Sequence, residues 1–104
     1  MKSITYTKKD IIRRSALKVN LSNEEMKIVF DSMIETMREI LMEQHSNIRI
    51  ELRNFGVYEV KPAKAKLKAR NPKTNKIIEV PPHRKISFKP GKNIKKEMMK
   101  EWKV

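Results

Sequence analysis

The sequence contains no cysteine, which excludes disulfide bonds, thiolate metal sites and cysteine nucleophiles together. It has only two histidines, His45 and His83, and neither is accompanied by a cluster of acids at the spacing of metal ligands. Long hydrophobic runs are also missing, and the N-terminus lacks the apolar core of a signal peptide. We therefore expect a cytoplasmic chain with no cofactor, metal or membrane segment.

Catalytic signatures are missing as well. The sequence shows no Ser-His-Asp set and no phosphate-binding loop, and it contains only two glycines. Its acidic residues fall mainly on the polar faces of the predicted helices. We therefore expect neither an enzyme nor a small-molecule substrate.

Acidic residues become scarce toward the C-terminus. Residues 1–60 contain 10 Lys and Arg against 9 Asp and Glu, whereas residues 61–104 contain 15 against 3. Such an asymmetry, within a net charge of +13, is typical of a protein with a polyanionic partner, nucleic acid or an anionic membrane surface. The basic segment has no bulky apolar residues on a helical face, which argues against the membrane.

Two capping signals predict two helices. Thr7 with Asp10, and Ser22 with Glu25, have the spacing of capping boxes. The first helix is expected to end near Asn20, and the second runs for about 20 residues with a broad apolar stripe. The stripe consists of Met26, Val29, Phe30, Met33, Ile34, Met37, Ile40 and Leu41. It is expected to be core, and because a chain of 104 residues buries little surface, a second chain is expected to cover it.

The period changes to two at Ile48, which predicts a strand through Leu52. A bulge or tight bend at Asn54-Phe55-Gly56 is followed by a second strand through Val60. A later strand, "KISFK", ends at Pro90-Gly91, and a last helix from about Lys92 places Ile94, Met98 and Trp102 inward.

Between these strands, residues 61–83 alternate lysines with small or apolar residues, and this pattern predicts a β-hairpin. Pro72 lies in its most basic part, where a proline marks a turn or an unpaired position, and Pro81-Pro82 ends its second strand. The hairpin has too little apolar surface to be buried, so we expect an arm that projects from the body.

Three motifs, in this order, resemble the bacterial HU and integration host factor family of histone-like DNA-bending proteins. They are "NFGVYEV" at the bend, "ARNPKTN" at the arm tip and "ISFKPGKNIKKEM" at the last helix. The likeness covers roughly residues 7–101. Asn54 and Asn75 stand where the family often has glycine, but asparagine tolerates a left-handed backbone, so the turns are expected to be kept.

The resemblance implies an α+β fold in a single domain, residues 1–104, that forms an intertwined dimer. Its parts are a helical dimerisation base at 7–45, a three-stranded antiparallel body sheet at 47–60 and 84–90, a β-arm at 61–83 and a C-terminal helix at 92–103. A homodimer is expected, with a heterodimer with a related subunit as the alternative. Segment 43–47 has no assigned role.

The resemblance also implies that two arms bind the minor groove of double-stranded DNA and bend it, with Pro72 inserted between base pairs. Arg70 and Asn71 match residues beside that proline. The other residues that match minor-groove positions are Arg53, Lys66, Lys68, Lys73 and Lys76. Those expected on phosphates are Lys8, Lys85, Lys89, Lys92 and Lys95. Such a protein compacts the bacterial nucleoid or assists recombination and transcription.

The alternative, a basic RNA-binding or ribosome-associated protein, is disfavoured because the arm has no aromatic residue for base stacking.

Overall fold

The computed structural model describes residues 2–64, 66–70 and 73–102, and for 66–70 and 78–80 it describes the backbone alone. The chain divides into two compact units, Met1–Met42 and Glu43–Val104. The first is a helical hairpin, and the second contains two antiparallel sheets and a short helix. The predicted α+β fold is confirmed: along the chain, a helical hairpin is followed by the strands of a three-stranded sheet and then by a last helix.

The helical hairpin consists of α1 (Lys8–Val19) and α2 (Asn23–Leu41). At the start of α1 the Asp10 carboxylate accepts hydrogen bonds from the backbone N–H and the hydroxyl of Thr7. At the start of α2 the Ser22 hydroxyl accepts from the Glu25 N–H, and the Glu25 carboxylate accepts from the Ser22 N–H. Both predicted helix starts are therefore confirmed, and each satisfies amides that a helix end leaves without partners.

The core of this unit is small. Ile12 and Ala16 of α1 are buried, but no residue of α2 is. Val29, Met33 and Ile34 in the apolar stripe are 43%, 57% and 49% exposed. One chain by itself therefore does not bury the stripe, in line with the expectation that a second chain covers it, because α1 with 12 residues is too short to cover a helix of 19 residues.

The larger sheet of the second unit contains β1 (Ile48–Leu52), β2 (Gly56–Ala63) and β5 (His83–Pro90), in the order β1-β2-β5. The smaller sheet pairs β3 (Lys66–Arg70) with β4 (Ile77–Val80). It continues from the last pair of β2 and β5, Ala63 with His83. The hairpin arm is thus present, and β4 ends before Pro81, as predicted.

The bend between β1 and β2 is a tight turn, in which the Phe55 N–H donates to the Leu52 carbonyl at 3.0 Å. Asn54 has φ 66° and Asn75 in the arm has φ 57°, which confirms that asparagine takes the left-handed backbone at both positions. Gly56 follows the turn at a close approach of β2 to β5. A Cβ atom there would lie 2.5 Å from the Lys89 carbonyl oxygen, so a larger residue does not fit.

Several observed boundaries differ from the predicted ones. The body sheet extends to Ala63 and begins again at His83, so the arm is shorter than 61–83, and the first unit ends at Met42 instead of residue 45. The last helix, α3, is Lys92–Met98 instead of 92–103. Met98 and Trp102 are 72% and 81% exposed instead of facing inward. A short helix without a buried residue has little to extend it, because isolated helices are marginal in water.

Candidate nucleic-acid interface

The register of the larger sheet separates its side chains into two faces, because residues directly opposite each other share a face. One face is apolar, where Ile50, Tyr58 and Phe88 lie opposite one another in adjacent strands. The rings of Tyr58 and Phe88 pack with their centroids 4.8 Å apart. We call the other face the polar sheet face. Its charged residues are Arg49, Glu51, Glu59, Lys61, Lys85 and Lys89.

Glu59 is the centre of an ion-pair cluster on the polar sheet face. Its carboxylate lies 3.0 Å from the Lys89 ammonium, 3.3 Å from that of Lys61 and 3.9 Å from the Arg49 guanidinium. Glu59 is only 4% exposed, whereas all three cationic side chains are more than half exposed. Hydrogen bonding to Lys89 and Lys61 holds the pKa of the Glu59 carboxyl below its ordinary value, although desolvation opposes this.

The expected phosphate-binding residues lie in three places. Lys85 and Lys89 are on the polar sheet face, and Lys92 and Lys95 are exposed residues of α3. Lys8, in the first unit, forms an ion pair with Asp31 of α2. Lys8 and Lys89 therefore each have an acidic partner within the chain. An incoming phosphate would have to share the lysine with that partner.

Arg53 lies in the turn between β1 and β2, beside the start of α3. The backbone holds these segments together, because the Gly91 N–H donates to the Phe55 carbonyl at 2.8 Å. Both segments line one cleft, to which Arg53 and Lys92 contribute. The structure thus brings together one residue predicted for the minor groove and one predicted for a phosphate.

The remaining candidates are in the arm. Lys66, Lys68 and Arg70 lie on β3, where a register shift between Lys66 and Ala69 interrupts the strict alternation that the sequence predicts. Lys73 and Lys76 are exposed in the turn that leads to β4. Asn71 and Pro72 lie outside the described residues.

A family model described as "Bacterial DNA-binding protein" matches residues 6–99. The chain belongs to this family. It is 35% identical to the DNA-binding protein HU of Thermotoga maritima, over 88% of this chain and 98% of that protein. It is 33% identical to the integration host factor subunit alpha of Haemophilus influenzae, over 92% of this chain and 96% of that subunit.

Among solved structures, HU of Anabaena in a cocrystal with DNA superposes with a TM-score of 0.77 at 28% identity. The match covers 90% of this chain and 98% of the Anabaena chain. The predicted resemblance to HU and integration host factor is confirmed. This is a family of DNA-binding proteins and not an enzyme family.

In the part of this family member that the structure describes, no group of three or more His, Asp or Glu residues could hold a metal ion. Across the same residues, no helix has the length and apolar character needed to cross a membrane.

Three charged residues with contacts inside the second unit are missing from the sequence predictions. Arg49 and Glu59 appear in the sequence as ordinary polar members of an alternating strand, and only the pairing of β1 with β2 brings them opposite each other. Arg84 donates from one guanidinium nitrogen to the carbonyls of Glu43 and His45, at 2.6 and 3.0 Å. Segment 43–47, which had no assigned role, is therefore attached to the base of the arm.

Stability is expected to fall in acid. Asp10 and Glu25 accept backbone hydrogen bonds from Thr7 and Ser22, which lowers the pKa of each carboxyl, as the Lys89 contact does for Glu59. A carboxyl with a lowered pKa in the folded state stabilises the fold above its unfolded pKa of about 4 and loses this contribution below it. We expect the melting temperature, followed by circular dichroism, to fall steadily below about pH 5.

The matched control is Glu25→Gln, which removes one of these three carboxyls. Acid also raises the positive charge of the whole chain, so the wild type and the variant are compared at each pH and at constant ionic strength. The melting temperature of the variant should depend less on pH. Equal dependence in both proteins would show that the capping carboxylate does not contribute.

Proposed function

We propose that two copies of this chain form an architectural protein that binds double-stranded DNA and bends it. The observation that carries the proposal is the likeness to Anabaena HU in a DNA cocrystal, which covers 90% of this chain. The charge distribution supports it independently, since the second unit contains the arm, the polar sheet face and most of the excess positive charge. The site of action is the nucleoid in the bacterial cytoplasm.

The dimer follows from surface that a single chain leaves uncovered. The stripe of α2 and the apolar sheet face both expose large side chains, among them Met33, Ile34 and Ile86, which are about half exposed. Monomeric proteins rarely expose contiguous apolar patches of this kind. An intertwined dimer would bury the stripes of two α2 helices against each other, and would carry two arms. A related subunit in place of the second copy would serve equally well.

Each arm reaches along the minor groove, and Pro72 at its tip is the wedge between two base pairs. Proline suits this task because its ring is compact, apolar and already rigid, so that little entropy is lost on insertion. Unstacking a base step costs a few kcal/mol, and the added backbone contacts of bent DNA offset that cost. Arg70 and Asn71 lie beside the wedge. The residues that line the groove are Arg53, Lys66, Lys68, Lys73 and Lys76.

The body binds the DNA backbone on either side of the bend. Lys85 and Lys89 do so from the polar sheet face, and Lys92 and Lys95 from α3, together with Lys8 of the helical hairpin. Because most contacts are to phosphates, the shape and deformability of the DNA set the preference for a site more than base-edge hydrogen bonds do.

Binding is expected to depend steeply on salt. Each phosphate that the protein neutralises lowers the logarithm of the association constant by about 0.9 for each tenfold increase in salt concentration. Six contacts therefore give a slope of about −5 when the logarithm of the association constant is plotted against the logarithm of the salt concentration. The measurement is fluorescence anisotropy of a labelled DNA duplex of about three helical turns, titrated at several salt concentrations. The same titration with an RNA duplex of equal sequence is the control.

Tight, salt-dependent binding to DNA with clearly weaker binding to RNA would support the proposal. Affinity that barely responds to salt would contradict the phosphate-based mechanism. Tighter binding to the RNA duplex would favour an RNA-binding protein instead.

A further inference from the structure

Glu59 is the only charged residue that is buried in the described part of the chain. It lies in the central strand β2, directly opposite Arg49 in β1 and Ser87 in β5. Burying an acid on the face that carries an excess of cations is costly unless the acid is paired. In this protein it is paired three times, with Arg49, Lys61 and Lys89.

The cations around Glu59 are crowded. Lys61 and Lys85 lie directly opposite each other in β2 and β5, and like charges in such a pair repel. Lys89 is on the same face of β5, four residues beyond Lys85. Without an anion among them, these side chains would separate and sample many conformations. The Glu59 carboxylate holds the Lys61 and Lys89 ammonium groups within 3.3 Å and 3.0 Å of itself.

We propose that Glu59 is a positioning residue for DNA binding, which orders Lys61 and Lys89 on the polar sheet face so that both present ammonium groups to the DNA backbone. The inference rests on the proposed function and adds to it two residues, Glu59 and Lys61. Glu59 does not touch DNA. It acts through the two lysines.

The geometry favours positioning over competition between Glu59 and DNA. An ammonium group has three hydrogen-bond donors, and contact with Glu59 occupies one. The Lys61 and Lys89 side chains are 57% and 64% exposed, so the other donors can reach a phosphate. Lysine side chains lose much conformational entropy when they are ordered, and in this protein folding has already ordered them.

The two roles predict opposite effects for Glu59→Gln. If Glu59 only repels phosphates, removal of its charge tightens DNA binding. If Glu59 positions the lysines, binding weakens although the protein becomes more positive, because Lys61 and Lys89 contact different carboxylate oxygens and an amide group has only one, uncharged, acceptor oxygen. We expect the dissociation constant for a DNA duplex to rise about threefold to tenfold, on the order of one ordinary hydrogen bond.

Glu51→Gln is the matched control. Glu51 is on the same face of the sheet but is exposed, and its ion pair is with Arg49, at 3.2 Å. Its replacement removes the same charge from the same face without releasing a lysine. We expect DNA binding to stay within about twofold of the wild type or to tighten slightly, as is usual for an exposed ion pair.

Glu59→Asp is the second variant, because it keeps the charge but withdraws the carboxylate by one methylene. Positioning predicts weaker binding for this variant too, whereas a role of charge alone predicts no change. Circular dichroism melts define a temperature at which all proteins compared are folded. Should Glu59→Gln not fold, the comparison of Glu59→Asp with the wild type decides.

The results separate the inference from the proposed function. If the wild type does not bind DNA in a salt-dependent manner, the proposed function fails. If the wild type binds and Glu59→Gln binds as tightly as Glu51→Gln or more tightly, positioning by Glu59 is overturned and the proposed function stands. Weaker binding by both Glu59 variants, with Glu51→Gln near the wild type, supports the inference.

Discussion

Replacement of Pro72 by alanine is expected to abolish most of the DNA bending while leaving much of the DNA binding. The wedge supplies the local unstacking that lets the duplex kink, whereas the lysines and arginines of the arm and body supply most of the affinity. Alanine is too small to fill the space between separated base pairs. The measurement is energy transfer between dyes at the two ends of a duplex of about three helical turns. Transfer should rise strongly with wild-type protein and only slightly with the variant.

Pro81→Ala is the matched control for this experiment. Pro81 is an exposed proline at the other end of the same hairpin, between β4 and β5. Its replacement should leave the rise in energy transfer close to that of the wild type. Equal transfer with wild type and Pro72→Ala would contradict the role of Pro72 as a wedge. Binding by the wild type without any rise would leave a protein that coats DNA and does not bend it.

Introduction of a carboxylate into the stripe of α2, by Met33→Glu, is expected to prevent dimer formation. In the proposed dimer this side chain is buried, and a symmetric interface buries the charge twice. An uncompensated buried charge costs about 3–5 kcal/mol, which is a large part of the stability of a small domain. The measurements are the molar mass in solution by light scattering and the melting temperature at two protein concentrations. The variant should be monomeric or unfolded where the wild type is dimeric.

Ser32→Glu is the control, since it adds the same charge to α2 at the neighbouring exposed position, which is not part of the stripe. This variant should remain dimeric, and its melting temperature should rise with protein concentration like that of the wild type. A dimer of Met33→Glu with unchanged stability would show that the stripe of α2 is not the interface between the two copies.

Elements whose signal is local were predicted well from the sequence. The two helix starts depend on hydrogen bonds between residues three positions apart, such as Ser22 and Glu25, so the spacing alone was sufficient. The turns at Asn54 and Asn75 likewise depend on the backbone preference of one residue. The family was predicted from three short motifs, and the match over residues 6–99 confirms it.

Predictions that depended on distant neighbours were less accurate. The end of α3 was placed too late because the apolar spacing of Met98 and Trp102 indicates a helix face, but that face is exposed in the chain. The limits of the arm were set by composition, whereas the pairing of β2 with β5 continues to Ala63 and His83. The roles of the individual site residues, including Pro72, stay predictions that the experiments above test.

The sequence by itself determined the order of helices and strands, the family and the basic character of the C-terminal part, because periodicity, capping and charge are properties of neighbouring residues. Only the tertiary structure decided which charges meet. Arg49, Glu59 and Lys89 lie far apart along the chain, and the register of three antiparallel strands brings them together on one face. Register is a long-range property, since a shift of one residue would move every side chain to the opposite face.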